Sequence, residues 1–416
     1  MIQAVRPVAS LLLGMAILLA GSGLIGTLLG LRGSVEGFSG FTLGLVMSGF
    51  FTGYIAGAFT TPPLIRRVGH IRTFTAMAAL AAVVSMLYGL WVDPWFWWVL
   101  RVINGIAMVA IYMVIESWLN EQMHEQRAKI FAGYMMVSFA ALGAGQFLIG
   151  VYGADHLASF VLVGVCFTLG LIPIALTPVT QPTPIDTHRL PLAHLYRVSP
   201  VGYFAGLVSG LVSGAFWGLA AAFAAHQGLD DGQVAALTAA AIFGGALMQW
   251  PIGKLSEGRD RRKVLVVVCA LAVLSAGAMF LIGPRDPMGL IIATGCYGGF
   301  AFSLYGLAVA QTHDRFHPSE ALEATKALLL LSGLGAAIGP MGTGALMSLT
   351  GPRALPLILA GLLLGLVALT VWRILRDAPV AEDERTEFMP VHRTSLAATD
   401  MDPRIPHAED AVARTE

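Results

Sequence analysis

Residues 101 to 120, Arg-Val-Ile-Asn-Gly-Ile-Ala-Met-Val-Ala-Ile-Tyr-Met-Val-Ile-Glu-Ser-Trp-Leu-Asn, decide the fold. The stretch is long and apolar enough to cross a lipid bilayer as a helix, yet it carries Arg101 near one end and Glu116 near the other. Ionisable side chains inside a membrane are costly unless they find a partner, so they usually face a bundle interior or a wet cavity. The stretch therefore predicts a membrane helix with a functional face.

On a helix, the two charges lie close to one stripe, which also includes Gly105, Met108 and Tyr112. At about 1.5 Å of rise per residue the charges are about 22 Å apart, too far to pair directly. Each charge therefore needs its own partner elsewhere in the fold.

The composition supports a membrane protein throughout. The chain has 416 residues, of which 56% are hydrophobic and only 12% are charged, whereas soluble domains are about one quarter charged. The net charge of +0 and the absence of a basic strip argue against nucleic-acid binding. The three cysteines show neither metal-ligand spacing nor a disulfide framework, and we interpret them as small core residues.

Apolar runs of about the length that crosses a bilayer recur along the chain and predict an all-α polytopic protein. The predicted spans are residues 8–31, 39–63, 73–92, 95–118, 130–153, 157–178, 200–225, 233–256, 264–283, 287–310, 324–349 and 353–375. We expect an N-terminal six-helix bundle over residues 1–179, a linker over 180–199, a C-terminal bundle over 200–375 and a disordered tail over 376–416.

Lysine and arginine positions predict the orientation. With the N-terminus in the cytoplasm, nearly all of the 25 basic residues fall on the inner side; the exceptions are Arg32, Arg285 and Arg353 in outer loops and Arg101 within a span. The positive-inside rule then predicts an inner-membrane protein with both termini in the cytoplasm.

The two halves share a spacing. Gly14, Leu18, Ser22 and Gly26 fall 192 residues before Gly206, Gly210, Gly214 and Gly218, and Gly105 and Tyr112 fall 193 before Gly298 and Tyr305. Transporters are often built from such internal repeats, with the substrate site between them. Chance matching of common glycines is the alternative interpretation. The glycine row 206–218 favours a close helix contact over a ligand site.

Three motifs resemble those of the major facilitator superfamily. The loop Gly253-Lys-Leu-Ser-Glu-Gly-Arg-Asp-Arg-Arg-Lys263 is similar to the family's Gly-x-Leu-x-Asp-Arg-x-Gly-Arg-Arg, with Glu257 in the place of aspartate. Arg101-x-x-Asn104-Gly105 resembles the family's fourth-helix motif. Gly335-x-x-x-Gly339-Pro340 resembles a motif of proton-driven antiporters, which carry it in helix five, whereas it lies here in span eleven. The Glu116–Asn120 ending further resembles the YcaD-like branch.

The resemblance implies two pseudo-symmetric six-helix bundles around a cavity that opens alternately to each side. The loop motif then suggests a latch, in which Glu257 contacts the positive end of helix five near Lys129 and holds the inner side shut. The gating candidates are Gly253, Glu257, Arg259, Arg261, Lys129, Gly335, Gly339 and Pro340. A solvated positive-inside loop is the alternative explanation of these charges.

Two interpretations remain open for each charge of the fourth span. Arg101 either binds an anionic group or tunes a proton carrier, or it is an anchor satisfied by backbone carbonyls. Glu116 is either the proton-coupling site or an interfacial side chain. Further cavity candidates are Asn104, Tyr112, Gln146, Trp217, Gln249, Tyr297 and Tyr305, any of which can instead serve packing.

These observations predict a secondary transporter that moves a small organic solute, either a metabolite or a drug-like compound, by alternating access. The favoured interpretation is coupling to protons, and passive transport is the alternative. We expect a neutral, amphipathic or anionic substrate, a monomer in the lipid bilayer, no metal or cofactor, and no enzymatic activity, since paired catalytic groups are missing from the sequence. The alternative is a transporter-like protein that acts as a sensor or as an assembly partner without transport.

Overall fold

The computed structural model describes residues 2–121, 127–177, 190–381, 385–388, 394–395 and 397. Within these ranges, the side chains of residues 2–8, 127–129 and 318 lie outside the description.

Twelve helices of the described chain are long and apolar enough to cross a membrane. We number them α1 (Ile2–Val35), α2 (Gly40–Val68), α3 (His70–Leu90), α4 (Pro94–Glu121), α5 (Arg127–Gln146), α6 (Leu157–Ala175), α7 (Pro200–His226), α8 (Asp231–Ser256), α9 (Arg261–Ile282), α10 (Pro287–Ala301, continued by Leu304–His313), α11 (Ala321–Thr350) and α12 (Leu355–Arg376). Short helices occupy Ile149–Tyr152, which extends the fifth span, and Leu192–Val198, which precedes α7.

Local signals fix several helix ends. Asp230 and Gln233 form a reciprocal capping box at the start of α8, which satisfies backbone N–H groups that have no partner within the helix. Asp260 caps α9 by accepting from the Arg262 N–H at 3.1 Å. Gly69, with φ of 88°, makes the tight turn between α2 and α3, a conformation that side-chain-bearing residues rarely adopt.

Helix neighbours repeat between the two halves. In the first half α1 packs on α5 and α6, α2 packs on α4, and α3 packs on both α4 and α6. The helices six positions later in the chain repeat these contacts. In the second half α7 packs on α11 and α12, α8 packs on α10, and α9 packs on both α10 and α12. The predicted fold class, an all-α membrane protein with two related six-helix bundles, is confirmed.

Glycines bring these helices into backbone contact at equivalent places. A Cβ on Gly105 of α4 would overlap the Phe50 carbonyl of α2, and a Cβ on Gly298 of α10 would overlap the Ala241 carbonyl of α8. Helix packing therefore explains why glycine occurs at both positions, because only a residue without a Cβ lets two backbones approach so closely.

The glycine row of α7 makes the same kind of contact with α11. A Cβ on Gly210 or Gly214 would overlap backbone atoms of Ser332 or Ala336. In return, Gly335 and Gly339 of α11 face the carbonyls of α7, so the Gly-x-x-x-Gly-Pro motif serves helix packing here. The interpretation of the row as a close helix contact is confirmed for these glycines.

The interpretation of the cysteines is wrong for one of the three. Cys166 and Cys269 are buried, but Cys296 is exposed on α10. An apolar run does not show which side of a helix faces the lipid, so this difference could not be read from the sequence.

The two halves meet at one face of the molecule. We call the face where α1 begins and α12 ends the terminal face, and the opposite one the distal face. Near the distal face the Phe41 N–H of α2 donates to Ser348 of α11 at 2.8 Å, and the Ala154 N–H donates to Asp231 at 3.0 Å. Gly44 fits against the backbone of Pro340 in the same region. The structure is therefore closed at the distal face.

Replacing Gly44 with alanine should weaken that closure, because the added Cβ would overlap the Pro340 carbonyl. We expect Gly44→Ala to shift the population toward a state open at the distal face, read as faster labelling of a cysteine in place of Ser348. Gly342→Ala is the matched control, since no atom lies within 4 Å of its added Cβ. Equal labelling of the two variants would contradict the assignment of Gly44 to the closure.

Candidate functional site

Glu116 lies at the meeting point of α4, α5 and the C-terminal tail. Its side chain is 0% exposed. The Tyr134 hydroxyl of α5 donates to one carboxylate oxygen, which also accepts from the Thr394 hydroxyl of the tail, and the Ser395 hydroxyl donates to the other oxygen. Because a buried carboxylate is stable only when its oxygens are satisfied, these hydroxyls explain how Glu116 is tolerated at this depth.

Two further tyrosines surround this carboxylate. Tyr112 lies one turn earlier on α4 and is buried. Tyr54 of α2 donates to the backbone carbonyl of Thr394, so α2 also takes part. The site is thus built from three helices of the first half, all of which present phenol rings toward one carboxyl group.

Arg101 occupies a separate position near the distal end of α4. Its guanidinium lies 4.6 Å from the centroid of the Phe50 ring, a cation–π contact that compensates part of the desolvation of the charge. Within the described residues, its Nε has no hydrogen-bond acceptor, and neither has the Nδ2 of Asn104, which is one turn further along. Both side chains are buried one turn apart on α4, and Tyr88 of α3 lies beside the Arg101 guanidinium.

Glu116 and Arg101 have separate partners in the structure, as the sequence predicts. Glu116 binds hydroxyl groups of α5 and the tail, and Arg101 lies on an aromatic ring of α2.

Gln146, a predicted cavity residue, joins the two halves near the distal face. Its amide oxygen accepts from Thr27 of α1 at 2.5 Å and from Thr238 of α8 at 3.0 Å, while its amide nitrogen donates to the Gly23 carbonyl at 2.9 Å. One buried amide thus connects both bundles in this conformation. Its position favours a part in closure of the distal face.

The cavity candidates of the second half are mainly aromatic. Trp217 of α7 stacks on Phe302 of α10 with ring centroids 5.0 Å apart, and Tyr297 stacks on Phe216 at 5.6 Å. Gln249 of α8 is half-buried. Tyr305 is buried in an apolar cluster with Val309 and Leu328, a position typical of packing.

The loop motif forms a charged cluster within the second half. Arg261 donates from Nε to Asp314 at 2.7 Å, and the two side chains are only 1% and 3% exposed. Arg261 also donates to the Ser256 hydroxyl at 3.3 Å and to the Thr386 carbonyl of the tail. Arg259, by contrast, is exposed and donates to the Leu255 carbonyl at 3.0 Å.

Glu257 has partners in its own half. It pairs with Lys254 at 2.8 Å and accepts from the Phe388 N–H at 3.3 Å. The hydrogen bond from Lys254 holds the pKa of Glu257 below its ordinary value, so the side chain is ionised at neutral pH. The predicted latch to Lys129 falls outside the described side chains.

The other gating candidates, Gly335, Gly339 and Pro340, lie on α11, where Pro340 faces Gly44 of α2.

Several residues of the site escape sequence reasoning. Tyr134 and Tyr54 lie in ordinary apolar spans, and Asp314 lies 53 residues from its partner Arg261. Thr394 and Ser395 belong to the stretch for which the sequence predicts disorder. The only available signal was Glu116 itself, since a buried carboxyl group demands donors and tyrosine hydroxyls can supply them.

The architecture and the buried polar groups define a polytopic membrane protein of the transporter type. The family model of the Major Facilitator Superfamily matches residues 11–199 and 202–402. The chain belongs to the major facilitator superfamily, and it is a multi-pass membrane transporter, a family whose members act on small-molecule substrates.

Relatives and solved structures agree with this assignment. An MFS-type transporter named YcaD from Escherichia coli O17:K52:H18 is 28% identical over 345 residues, which cover 82% of this chain and 89% of that protein. An MFS-type transporter of Enterobacter sp. strain 638 is 29% identical over 346 residues, with 82% and 89% covered. The predicted resemblance to the family and to its YcaD-like branch is therefore confirmed.

Two solved structures share the fold at low sequence identity. The nucleoside transporter NupG superimposes with a TM-score of 0.75 at 13% identity, covering 89% of this chain and 100% of that chain. A bacterial homologue of the human lysosomal transporter Spinster, in an inward-facing and occupied conformation, gives a TM-score of 0.73 at 15% identity, covering 91% and 97%.

Proposed function

We propose that this transporter moves a small organic solute together with, or in exchange for, protons, and that Glu116 is the coupling carboxyl group. The observation that carries the proposal is the burial of Glu116 among hydroxyl donors of α5 and the tail. A carboxyl group in such a place can be neutralised by a proton, and loss of its charge changes the free energy of burying it.

Arg101 and Asn104 supply the second part of the proposal. Their unsatisfied nitrogen donors are buried, and an acceptor group on the solute would satisfy both. A solute with a carbonyl, hydroxyl or carboxylate oxygen suits this pair, which favours a neutral or anionic substrate over a polycation. Arg101 thus binds the solute, while Glu116 carries the proton toward the terminal face.

Orientation follows from the charge distribution. The loops and tail at the terminal face hold most of the lysines and arginines, so we place this face in the cytoplasm and assign the structure to an inward-facing conformation. We further propose that a single chain is the transporting unit, because the groups of the proposed solute and proton sites all belong to one chain.

The test begins with the purified full-length chain and a thermal-shift screen against nucleosides, carboxylic acids and uncharged amphipathic compounds. Binding of a substrate should raise the unfolding temperature by mass action. The same protein is then reconstituted into vesicles that contain a pH-sensitive dye, and each compound that binds is added outside.

We expect a bound compound to cause a pH change inside the vesicles, with no change in vesicles that lack the protein. Solute uptake without any proton movement would contradict the coupling. Binding without either flux would instead assign the chain to the sensor or assembly class.

A further inference from the structure

The C-terminal tail enters the space between the two halves at the terminal face. Its path begins where the Arg262 guanidinium donates to the Asp377 carbonyl at 2.9 Å, just past the end of α12. From there, Arg385 donates to the Gly258 carbonyl at 2.6 Å, which holds the tail beside the α8–α9 loop.

The next contacts join the tail to the charged cluster. The Thr386 N–H and hydroxyl both donate to one oxygen of Asp314, each at 2.9 Å, while the Thr386 carbonyl accepts from Arg261. A single tail residue thus completes the hydrogen bonding of a buried ion pair. Such charge-assisted bonds are stronger than neutral ones, so this contact fixes the register of the tail.

Phe388 then packs into a space left by two glycines. A Cβ on Gly253 of α8 would overlap the Phe388 ring, and a Cβ on Gly306 of α10 would lie 3.3 Å from it. The ring is almost completely buried. Gly253, the first residue of the loop motif, therefore provides room for an aromatic side chain of the tail.

Thr394 and Ser395 of the tail contact the first half. Thr394 and Ser395 donate to Glu116, Tyr54 donates to the Thr394 carbonyl, and Ala397 is 2% exposed. The tail thus contacts both halves on the side opposite to the distal closure. It also satisfies the carboxylate that the proposed function assigns to proton coupling.

We propose that the described tail residues 385–388, 394, 395 and 397 form a releasable plug, which holds the transporter in this conformation and must be released for solute exchange at the terminal face. Movement to the opposite conformation brings the terminal ends of the two halves together. The plug occupies that space, so it must leave before the halves can close there. Transport is therefore limited by the fraction of molecules whose plug is released.

A cysteine in place of Ala397 measures release directly. The variant is made in a full-length chain whose Cys166, Cys269 and Cys296 are replaced by serine, and labelling with a maleimide is followed in detergent without solute. We expect slow labelling at Ala397→Cys, and a rise of about tenfold when Phe388→Ala is added, because the added substitution shifts the population toward the released state.

Two controls make the result specific. Ser319→Cys lies in an exposed loop on the same face, and its labelling should not change with Phe388→Ala. Ala381→Ser, an exposed tail substitution, should leave labelling at Ala397→Cys slow. Labelling of Ala397→Cys as fast as that of Ser319→Cys in the chain with an unaltered tail would overturn the proposal.

A second measurement tests the consequence for transport. A chain that ends at Ala381 keeps α12 and the Asp377 contact, and we expect it to transport faster than the full chain. Equal or slower transport by a truncated chain of unchanged melting temperature would overturn the inhibitory role. The labelling experiment needs neither solute nor gradient, so a failure of the plug is distinguishable from a failure of proton coupling.

Discussion

Replacing Glu116 with glutamine is expected to reduce proton flux linked to solute transport by about a hundredfold, the size typical of removing a proton-transfer group. Glutamine has nearly the same shape; its amide oxygen can accept from Tyr134 and Thr394, and its amide nitrogen can donate to the Ser395 hydroxyl. The fold and solute binding should therefore persist. The measurement is the rate of internal pH change in vesicles, together with the melting temperature of the purified variant.

Glu121→Gln is the matched control, because it removes a carboxylate from the same helix at its less buried end. Its proton flux should equal that of the unaltered chain. If Glu116→Gln keeps full proton flux at unchanged solute affinity, Glu116 is not the coupling group, and its burial serves the fold or the docking of the tail.

Removing the carboxylate of Asp314 is expected to destabilise the protein by about 3–5 kcal/mol, because breaking a buried ion pair leaves an uncompensated charge. Asp314→Ala would leave Arg261 buried without its main partner and would remove the acceptor of Thr386. The measurement is the melting temperature in detergent, compared with that of Arg259→Ala. Arg259 is exposed, so its loss should change stability by no more than about 0.5 kcal/mol.

A double variant tests whether the loss of stability comes from leaving Arg261 without its partner Asp314. Arg261→Met combined with Asp314→Leu replaces both charges by apolar side chains, which is often neutral or stabilising for a buried pair. We expect the double variant to melt above Asp314→Ala. A double variant that melts as low as the single one would show that the stability comes from other contacts of these residues.

The sequence was sufficient for the architecture. Span length and apolar composition depend only on local residues, so the twelve helices could be located, and the spacing of Gly105 and Gly298 reflects equivalent backbone contacts in the two bundles. Glu116 and Arg101 could be singled out because burial of a charge in a membrane is rare enough to carry information by itself.

The partners of these charges could not be predicted. Asp314 pairs with Arg261 although two spans, α9 and α10, lie between them in the chain, and no periodicity connects the two positions. The structure of the tail was harder to predict. Its polar, proline-containing composition predicts disorder, since it cannot bury enough apolar surface by itself, but Phe388 and Thr394 bind surfaces that other helices provide.

The role of Gln146 also could not be predicted from the sequence. A glutamine in a membrane span is as suitable for a cavity wall as for a helix contact, and only the positions of Thr27 and Thr238 decide between them. The amide and its two threonines come from different helices and from both bundles, so their meeting depends on the conformation as well as on the fold.

The covalent connection of the tail to α12 has a consequence for affinity. A ligand attached to its own receptor by a short covalent linker is present at an effective concentration of about millimolar, whatever the amount of protein in the membrane. At this concentration, the charge-assisted contacts of Ser395 and Thr386 keep the tail bound most of the time. A solute whose binding requires release of the tail has to compete with this constant internal concentration, so its apparent affinity should increase when the tail is shortened, without any change in the residues that bind it.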